Sequence, residues 1–579
     1  MRFLKAIIAV MMICVITGCG DNVNEKETEE IIHGMYHENL RIEGDYDEDL
    51  AAKCENGIFV GKENEDVISF KGIPYAQQPV GNRRWKVAEP CNKSNDVYEA
   101  FYYGKSPIQT KTDSERASYY EQGEDCLNLN IWVNRKNEKT KKPVMVFIHG
   151  GSYGWGGTSD PLYDGHNLVK EYDDIILVTV GYRTGIMGFI DLSSVEGSEG
   201  YEKSGNLGLL DQVQALKWIN KNIEAFGGDP GNVTVFGESA GGGSVSLLPL
   251  IDDAKGLFKR VIAQSGSIAL TFAKDECQNL TNMLLKESDA KNMKELLALS
   301  EDKIRKINEA LNDHNIFPVR DGIVLPTDLY KAYEDGAGAG VDMMIGTNSD
   351  ETRYWIHEVG GFEIYNIAFP IMLENNMKRV SESDRRMVSA FMALQNNKKI
   401  WNISEFYDEM MFRLPAIAQA SSHADNGGKT FMYYWTYPSA IKHMGACHAV
   451  ELAYVFNNLN ETIYTGNNIN RKLAKQTQDA WVNFARTGNP STKELSWPLY
   501  TTHDRKTMEL GNESKVVSKP MNEQRILLNN LLKYHFNGNY ADLSFNVPFV
   551  YKWVSIIVAA IAVLVGTVAF YLKGNAITD

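Results

Sequence analysis

The sequence predicts an α/β fold in one large domain, with a central, mostly parallel sheet flanked by helices. Three observations carry that expectation. Short apolar, β-branched runs alternate with segments of helical periodicity, the pattern of parallel strands joined by crossover helices. No repeat, low-complexity tract or obvious linker interrupts the middle of the 579-residue chain. Hydrophobic residues at 44% against 23% charged residues supply enough apolar surface for a sizeable core.

Val144 to Ile148 and Ile175 to Val180 read as buried strands. From Leu207 the chain places Leu210, Val213, Leu216, Trp218 and Ile219 at near-helical spacing. That helix stops at Phe226-Gly227-Gly228-Asp229-Pro230, where paired glycines and a proline break it. Val233-Thr234-Val235-Phe236 follows as a short strand, with further strands at Val261 to Ala263 and Asp342 to Ile345.

The chain ends read differently from the body. Residues 1–19 have the layout of a secretory signal: Arg2 and Lys5, an apolar run from Ala6 to Ile16, then small residues. Ile16-Thr17-Gly18-Cys19 also resembles a bacterial lipoprotein signal, with Cys19 as the lipidated residue; a plain signal with an incidental cysteine is the alternative. Residues 20–50, rich in Glu, Asp and Asn, are expected to form an acidic flexible tether. The folded domain is placed at 51–535 and a linker at 536–552. A transmembrane helix is expected over 553–573, because Val554 to Leu572 carries no charge and would span about 28 Å as a helix. The location implied is the cell membrane, with the folded domain extracytoplasmic.

A net charge of −15 argues against a nucleic-acid partner, which would favour a basic face. The body cysteines Cys54, Cys91, Cys126, Cys277 and Cys447 match neither a zinc pattern nor a CxxC redox pair, so no metal and no cofactor is implied.

Gly237-Glu238-Ser239-Ala240-Gly241 matches Gly-x-Ser-x-Gly, whose glycines let a strand turn sharply into a helix and lift the serine hydroxyl clear. Gly150-Gly151-Ser152-Tyr153-Gly154 matches the same pattern, and context separates the two. Ser239 follows a strand and precedes small residues and an apolar run; Ser152 opens a loop rich in glycine and tyrosine.

Around these motifs the chain resembles the type B carboxylesterase family. The resemblance runs from about Gly57 to Pro498 and rests on Phe70-Lys-Gly-Ile-Pro-Tyr-Ala76, Glu124-Asp-Cys-Leu-Asn-Leu-Asn130, Gly181-Tyr-Arg183, Asn206 to Gly243, Asp321-Gly-Ile-Val-Leu-Pro326 and Asn483-Phe-Ala-Arg-Thr-Gly488. It implies an α/β-hydrolase fold and a serine carboxylesterase acting on small-molecule carboxylic esters through an acyl-enzyme.

A serine hydroxyl needs a base to take its proton and an acid to hold that base in the right tautomer. In the resembled family the acid closes a Gly-Thr-Asn-x-Asp-Glu block, here Gly346 to Glu351, and the histidine follows Gly-Ala-x, here Gly445-Ala-Cys-His448. Catalytic Ser239, Glu351 and His448 are thereby implied, with Asp350 and His443 left as rivals for acid and base. His149-Gly150-Gly151-Ser152-Tyr153 resembles the family's oxyanion loop and assigns the N–H groups of Gly151, Ser152 and Ala240. Ser152 stands where the family has a third glycine, which implies a narrower pocket. Glu238 resembles a carboxylate that tunes the histidine. Cys126 matches a disulfide cysteine whose usual partner position holds Ser106, leaving Cys91 or Cys54 as substitutes.

No tryptophan lies between Trp85 and Trp132, where cholinesterases carry one to hold a quaternary ammonium, so choline-ester specificity is not expected. Tyr119 or Tyr120 offers a weaker face. Two rival readings remain: a catalytically silent adhesion or receptor ectodomain of the same fold, and a lipase acting on lipid surfaces.

Overall fold

The structure, a computed structural model, describes residues 38–534 apart from 110–120, 137–140, 312–315, 359–369, 371–372, 375, 379, 396–398 and 468. Eleven strands form one sheet: β1 (Lys62–Asn64), β2 (Val67–Pro74), β3 (Asn128–Asn134), β4 (Lys142–Ile148), β5 (Ile176–Val180), β6 (Gly228–Glu238), β7 (Arg260–Gln264), β8 (Asp342–Asn348), β9 (Thr430–Trp435), β10 (Lys506–Leu510) and β11 (Lys515–Ser518). Their order across the sheet is β11-β10-β9-β8-β7-β6-β4-β5-β3-β2-β1.

The seven strands from β10 to β5 pair in parallel, as expected for a buried sheet covered by crossover helices. The margins are antiparallel, which makes the sheet mixed. Antiparallel neighbours need only a tight turn: Glu65 and Asp66, both at positive φ, join β1 to β2.

The helices that matter for the site are α1 (Leu207–Asn222), α2 (Ala240–Leu247), α3 (Leu414–Asp425), α4 (Arg471–Thr487) and α5 (Asn522–Leu528). Alternation along β4 separates two cores. Val144, Val146 and Ile148 join the core under α1, α2 and α3, whereas Met145 and Phe147 join the one under α4. A sheet covered on both faces explains why its strands read as continuous apolar runs. The helix from Leu207 ends as expected, at Gly227 in the left-handed conformation, but Gly228 to Asn232 already belong to β6.

The tether reading is corrected for residues 38–50. Asn39 donates from its amide to the carbonyls of Lys71 and Tyr102, Ile42 N–H donates to Val97 O, and Glu48–Leu50 form a 3-10 helix. Backbone pairing holds this polar stretch against the body without needing apolar side chains.

Residues 1–19 with Cys19, the linker at 536–552 and the expected membrane helix at 553–573 lie outside the described residues. Among the described residues no helix is long and apolar enough to cross a membrane. Cys54, Cys91, Cys126, Cys277 and Cys447 are all free thiols, so neither substitute pairing for Cys126 is formed.

Candidate active site

Ser239 occupies the single residue between β6 and α2, at φ 58° and ψ −120°. A residue with a side chain adopts that conformation only where its surroundings impose it. The surroundings here are backbone: a Cβ on Gly241 would lie 1.9 Å from Ile148 O at the end of β4, and one on Gly237 would lie 2.5 Å from the Gly241 carbonyl carbon. The flanking glycines of the motif are therefore required by close approach. Ser239 N–H donates to Gln264 O and its own carbonyl accepts from Gly243 N–H, which leaves the side chain half-buried at the head of the sheet.

The loop after β4 presses against this elbow. A Cβ on Gly150 would stand 3.1 Å from Cβ of Ser239. His149 stacks on Tyr182 at 4.5 Å, and Tyr182 donates its hydroxyl to His149 O. Beyond it, Gly151, Ser152 and Tyr153 all have positive φ. Tyr153 is held there by its ring, fully buried against Phe189 and Phe317. Ser152 faces solvent, so it is a loop residue rather than a second elbow. The N–H groups of Gly151, Ser152 and Ala240 donate to no backbone acceptor among the described residues.

His448 reaches the elbow from the far end of the sequence. Its Nδ1 lies 2.6 Å from Glu351 Oε2, and Glu351, fully buried, also accepts from Asn348 N–H at 2.7 Å. Glu351 sits just past the end of β8, where side chains at the carboxyl edge of a parallel sheet converge. Nε2 of His448 makes no hydrogen bond, but lies 3.1 Å from Oε1 of Glu238. The contact is thus an ion-pair approach off hydrogen-bond geometry, and it brings the ring beside the residue that precedes Ser239.

The rival acid is placed elsewhere. Asp350 accepts from Ala446 N–H and from Ser349 Oγ, and pairs with Arg353 at 2.6 Å. It clamps the histidine loop while Glu351 meets the imidazole. The rival base, His443, is exposed and lies against Trp401.

Three further groups carry no individual sequence signal. Glu451, fully buried, accepts from Asn348 Nδ2 at 2.7 Å and from Gln264 Nε2 at 3.1 Å, joining the ends of β7 and β8 to the histidine loop. Trp355 and Phe412 lie with ring centroids 5.0 and 5.1 Å from the imidazole. Burial disfavours the imidazolium, but the carboxylates of Glu238, Glu351 and Glu451 outweigh it and hold the His448 pKa up at about 9. Burial raises the Glu451 carboxyl above its usual range.

A buried carboxylate and imidazole in line, reaching Glu238 just before a serine on a strained strand-to-helix turn that is flanked by a loop of open amides, is an arrangement suited to acyl transfer. The carboxylesterase family model matches residues 48–528. The chain belongs to that family. It is 35% identical over 490 residues to the para-nitrobenzyl esterase of Bacillus subtilis (strain 168), covering 81% of this chain and 96% of that protein. Liver carboxylesterase 1F of Rattus norvegicus is 31% identical over 75% of this chain and 84% of its own length. Among solved structures, the Geobacillus stearothermophilus carboxylesterase EST55 is similar with a TM-score of 0.75 and 31% identity, covering 83% of this chain and 99% of that one.

In this carboxylesterase, two of the motif blocks that carry the resemblance are structural. Arg183, wholly buried, donates from Nε and Nη2 to both oxygens of Asp211 in α1. Arg84 does the same to Glu124 and also donates to Leu299 O. Each ties a loop at the sheet's edge to the body through a bidentate pair.

Proposed function

We propose that this carboxylic ester hydrolase works through an acyl-enzyme, with Ser239 as nucleophile, His448 as general base and acid, and Glu351 as the carboxylate that orients it. The observation that carries the reading is the 2.6 Å contact between Glu351 and Nδ1 of His448, which directs Nε2 toward the elbow. Ser239 Oγ attacks the ester carbonyl carbon as its proton passes to Nε2. The carbonyl oxygen becomes an oxyanion received by the N–H groups of Gly151, Ser152 and Ala240, each worth roughly 3 to 4 kcal/mol in the transition state. Collapse expels the alcohol, protonated from Nε2, and water repeats the sequence to release the acid.

Glu238 acts on charge rather than on bonds. With Glu351 and Glu451 it stabilises the imidazolium formed in each transition state, at the cost of protonating the resting base at neutral pH. The aromatic rings of Trp355 and Phe412 favour an apolar ester group beside the imidazole.

The test is a panel of p-nitrophenyl esters together with an organophosphonate label. Wild-type protein is expected to hydrolyse the short esters and take one label; Ser239→Ala should lose the label and about 10^4-fold or more in kcat. An unlabelled, inactive but folded wild type favours the silent ectodomain instead, and a preference for emulsified long-chain esters favours the lipase.

We further propose that the catalytic domain is held outside the cytoplasm at the cell membrane by a helix over 553–573, with a lipid on Cys19 as a second anchor. The support is compositional: the nineteen uncharged residues from Val554 to Leu572 and the leader ending in Cys19. Membrane fractionation of the full chain beside a chain ending at 535 checks it, since only the full chain carries the helix.

A further inference from the structure

One cavity of this acidic protein is lined by cations. It has a volume of about 620 Å³, and Arg320, Arg505 and Arg525 line it together with residues of α3 and α5. None of the Ser239 constellation belongs to its walls.

The cations are unequally compensated. Arg320 has Glu276 at 4.0 Å, and Lys533, also in the wall, has Asp384 at 2.8 Å. Arg505 and Arg525 ion-pair with no carboxylate among the described residues. Instead both donate from Nη2 to the same oxygen, Oδ1 of Asn522, so two guanidinium groups converge on one neutral acceptor. Of the titratable groups acting on Arg525, Arg505 and Arg413 are cations and Tyr500 is a phenol that stays neutral at physiological pH, and Arg413 is already engaged by Glu409. The Nε–H of Arg320 and of Arg525 is closed off from solvent with no acceptor. Of the acids in the wall, Asp328 is spent capping the helix Leu329–Glu334, and Glu334 is exposed.

Converging like charges with unmet donors are costly unless an anion completes them. A chain with a formal charge of −15 has carboxylates to spare, yet among the described residues none ion-pairs with either of these two cations. The remaining wall is apolar at Ile268, Ile417 and Leu532 and carries hydroxyls from Thr271 and Ser422.

We propose that this cavity binds an amphipathic organic anion, whose carboxylate or phosphate head sits between Arg505 and Arg525 and whose apolar body lies along Ile268, Ile417 and Leu532. Planar guanidinium groups suit such oxyanions because they donate two parallel hydrogen bonds to one head group. The volume exceeds what an inorganic ion needs, which is why the ligand is assigned a body as well as a charge.

Calorimetric titration of the full-length chain with octanoate tests this, with Ser239 first capped by an organophosphonate so that the ester site is filled. The expected result is one saturable site that weakens about tenfold or more in Arg505→Gln and in Arg525→Gln. Arg525→Lys, which keeps the charge, should retain part of the affinity. Undiminished p-nitrophenyl acetate hydrolysis by the uncapped variants establishes that they fold. Absence of saturable octanoate binding to the wild type, or equal binding in both Gln variants, overturns the site. Acetate or inorganic phosphate binding as tightly as octanoate overturns its amphipathic character.

Discussion

Nε2 of His448 lies 3.1 Å from Oε1 of Glu238, and both side chains are buried. The imidazole is thus bracketed by carboxylates, with Glu351 at Nδ1 and Glu238 beside Nε2. The pH dependence of the enzyme follows from this bracket. With a His448 pKa of about 9, kcat/KM is expected to rise through the alkaline range as the imidazole loses its proton. Glu238→Gln removes one anion, lowers that pKa and should move the limb to lower pH by about one unit or more. A pH profile left unmoved by the substitution would show that Glu238 does not act on the base.

The same shift carries a stability term of definite sign. The folded-state pKa stands above the ordinary 6.5 of histidine, so the protonated ring stabilises the fold in full below about pH 6.5, and the contribution is lost as pH rises through about 9. Denaturant unfolding of wild type and Glu238→Gln across that window should show the wild type losing more stability with rising pH.

Glu351 and Asp350 are neighbours with different contacts, and substitution separates the roles proposed for them. Glu351→Gln keeps the shape but presents the wrong hydrogen-bond partner to Nδ1, and is expected to cut kcat by about 10^4-fold. Asp350→Asn loosens the Ala446 and Arg353 contacts, costing about 1 to 3 kcal/mol of stability with a much smaller loss of kcat. Equal loss of kcat in the two variants would contradict the assignment.

Glu451→Ala leaves one N–H of Asn348 Nδ2, whose other N–H donates to Cys447 O, and one N–H of Gln264 Nε2 without their buried acceptor. A cost of about 1 to 3 kcal/mol for each unpaired donor is expected. Because Asn348 also donates to Glu351, kcat should fall while KM changes little. Thermal melts and steady-state kinetics on one preparation read both.

Gly241→Ala tests the elbow. An added Cβ would sit 1.9 Å from Ile148 O, and backbone cannot yield as a flexible side chain does. A loss of about 4 kcal/mol or more, or failure to accumulate folded protein, is expected. Ser244→Ala, one turn on in the same helix, should be far milder: there the side chain accepts a 3.1 Å bond from Gln212 and no backbone clash is introduced.

Much of this molecule is legible in its primary structure because the signals are local. Strand β4, helix α1 and the Ser239 elbow each follow from residues within a few positions of one another: β-branched runs, 3.6-residue spacing, and glycines where backbones touch. The type of fold follows from their alternation. What only the tertiary structure decided is which distant groups share the site. Asp350 and Glu351 are equivalent as neighbours in the chain; they part only because β8 ends between two environments, one holding Arg353 and the Ala446 amide, the other the imidazole. Glu451, Trp355 and Phe412 show no periodicity or motif that marks them individually, since their roles come from packing against His448 and Asn348 across the sheet's edge. The pairing of Arg505 with Arg525 is of the same kind. Short-range sterics can be read along the chain, but electrostatic partnership depends on distance in space, and the fold alone sets that distance.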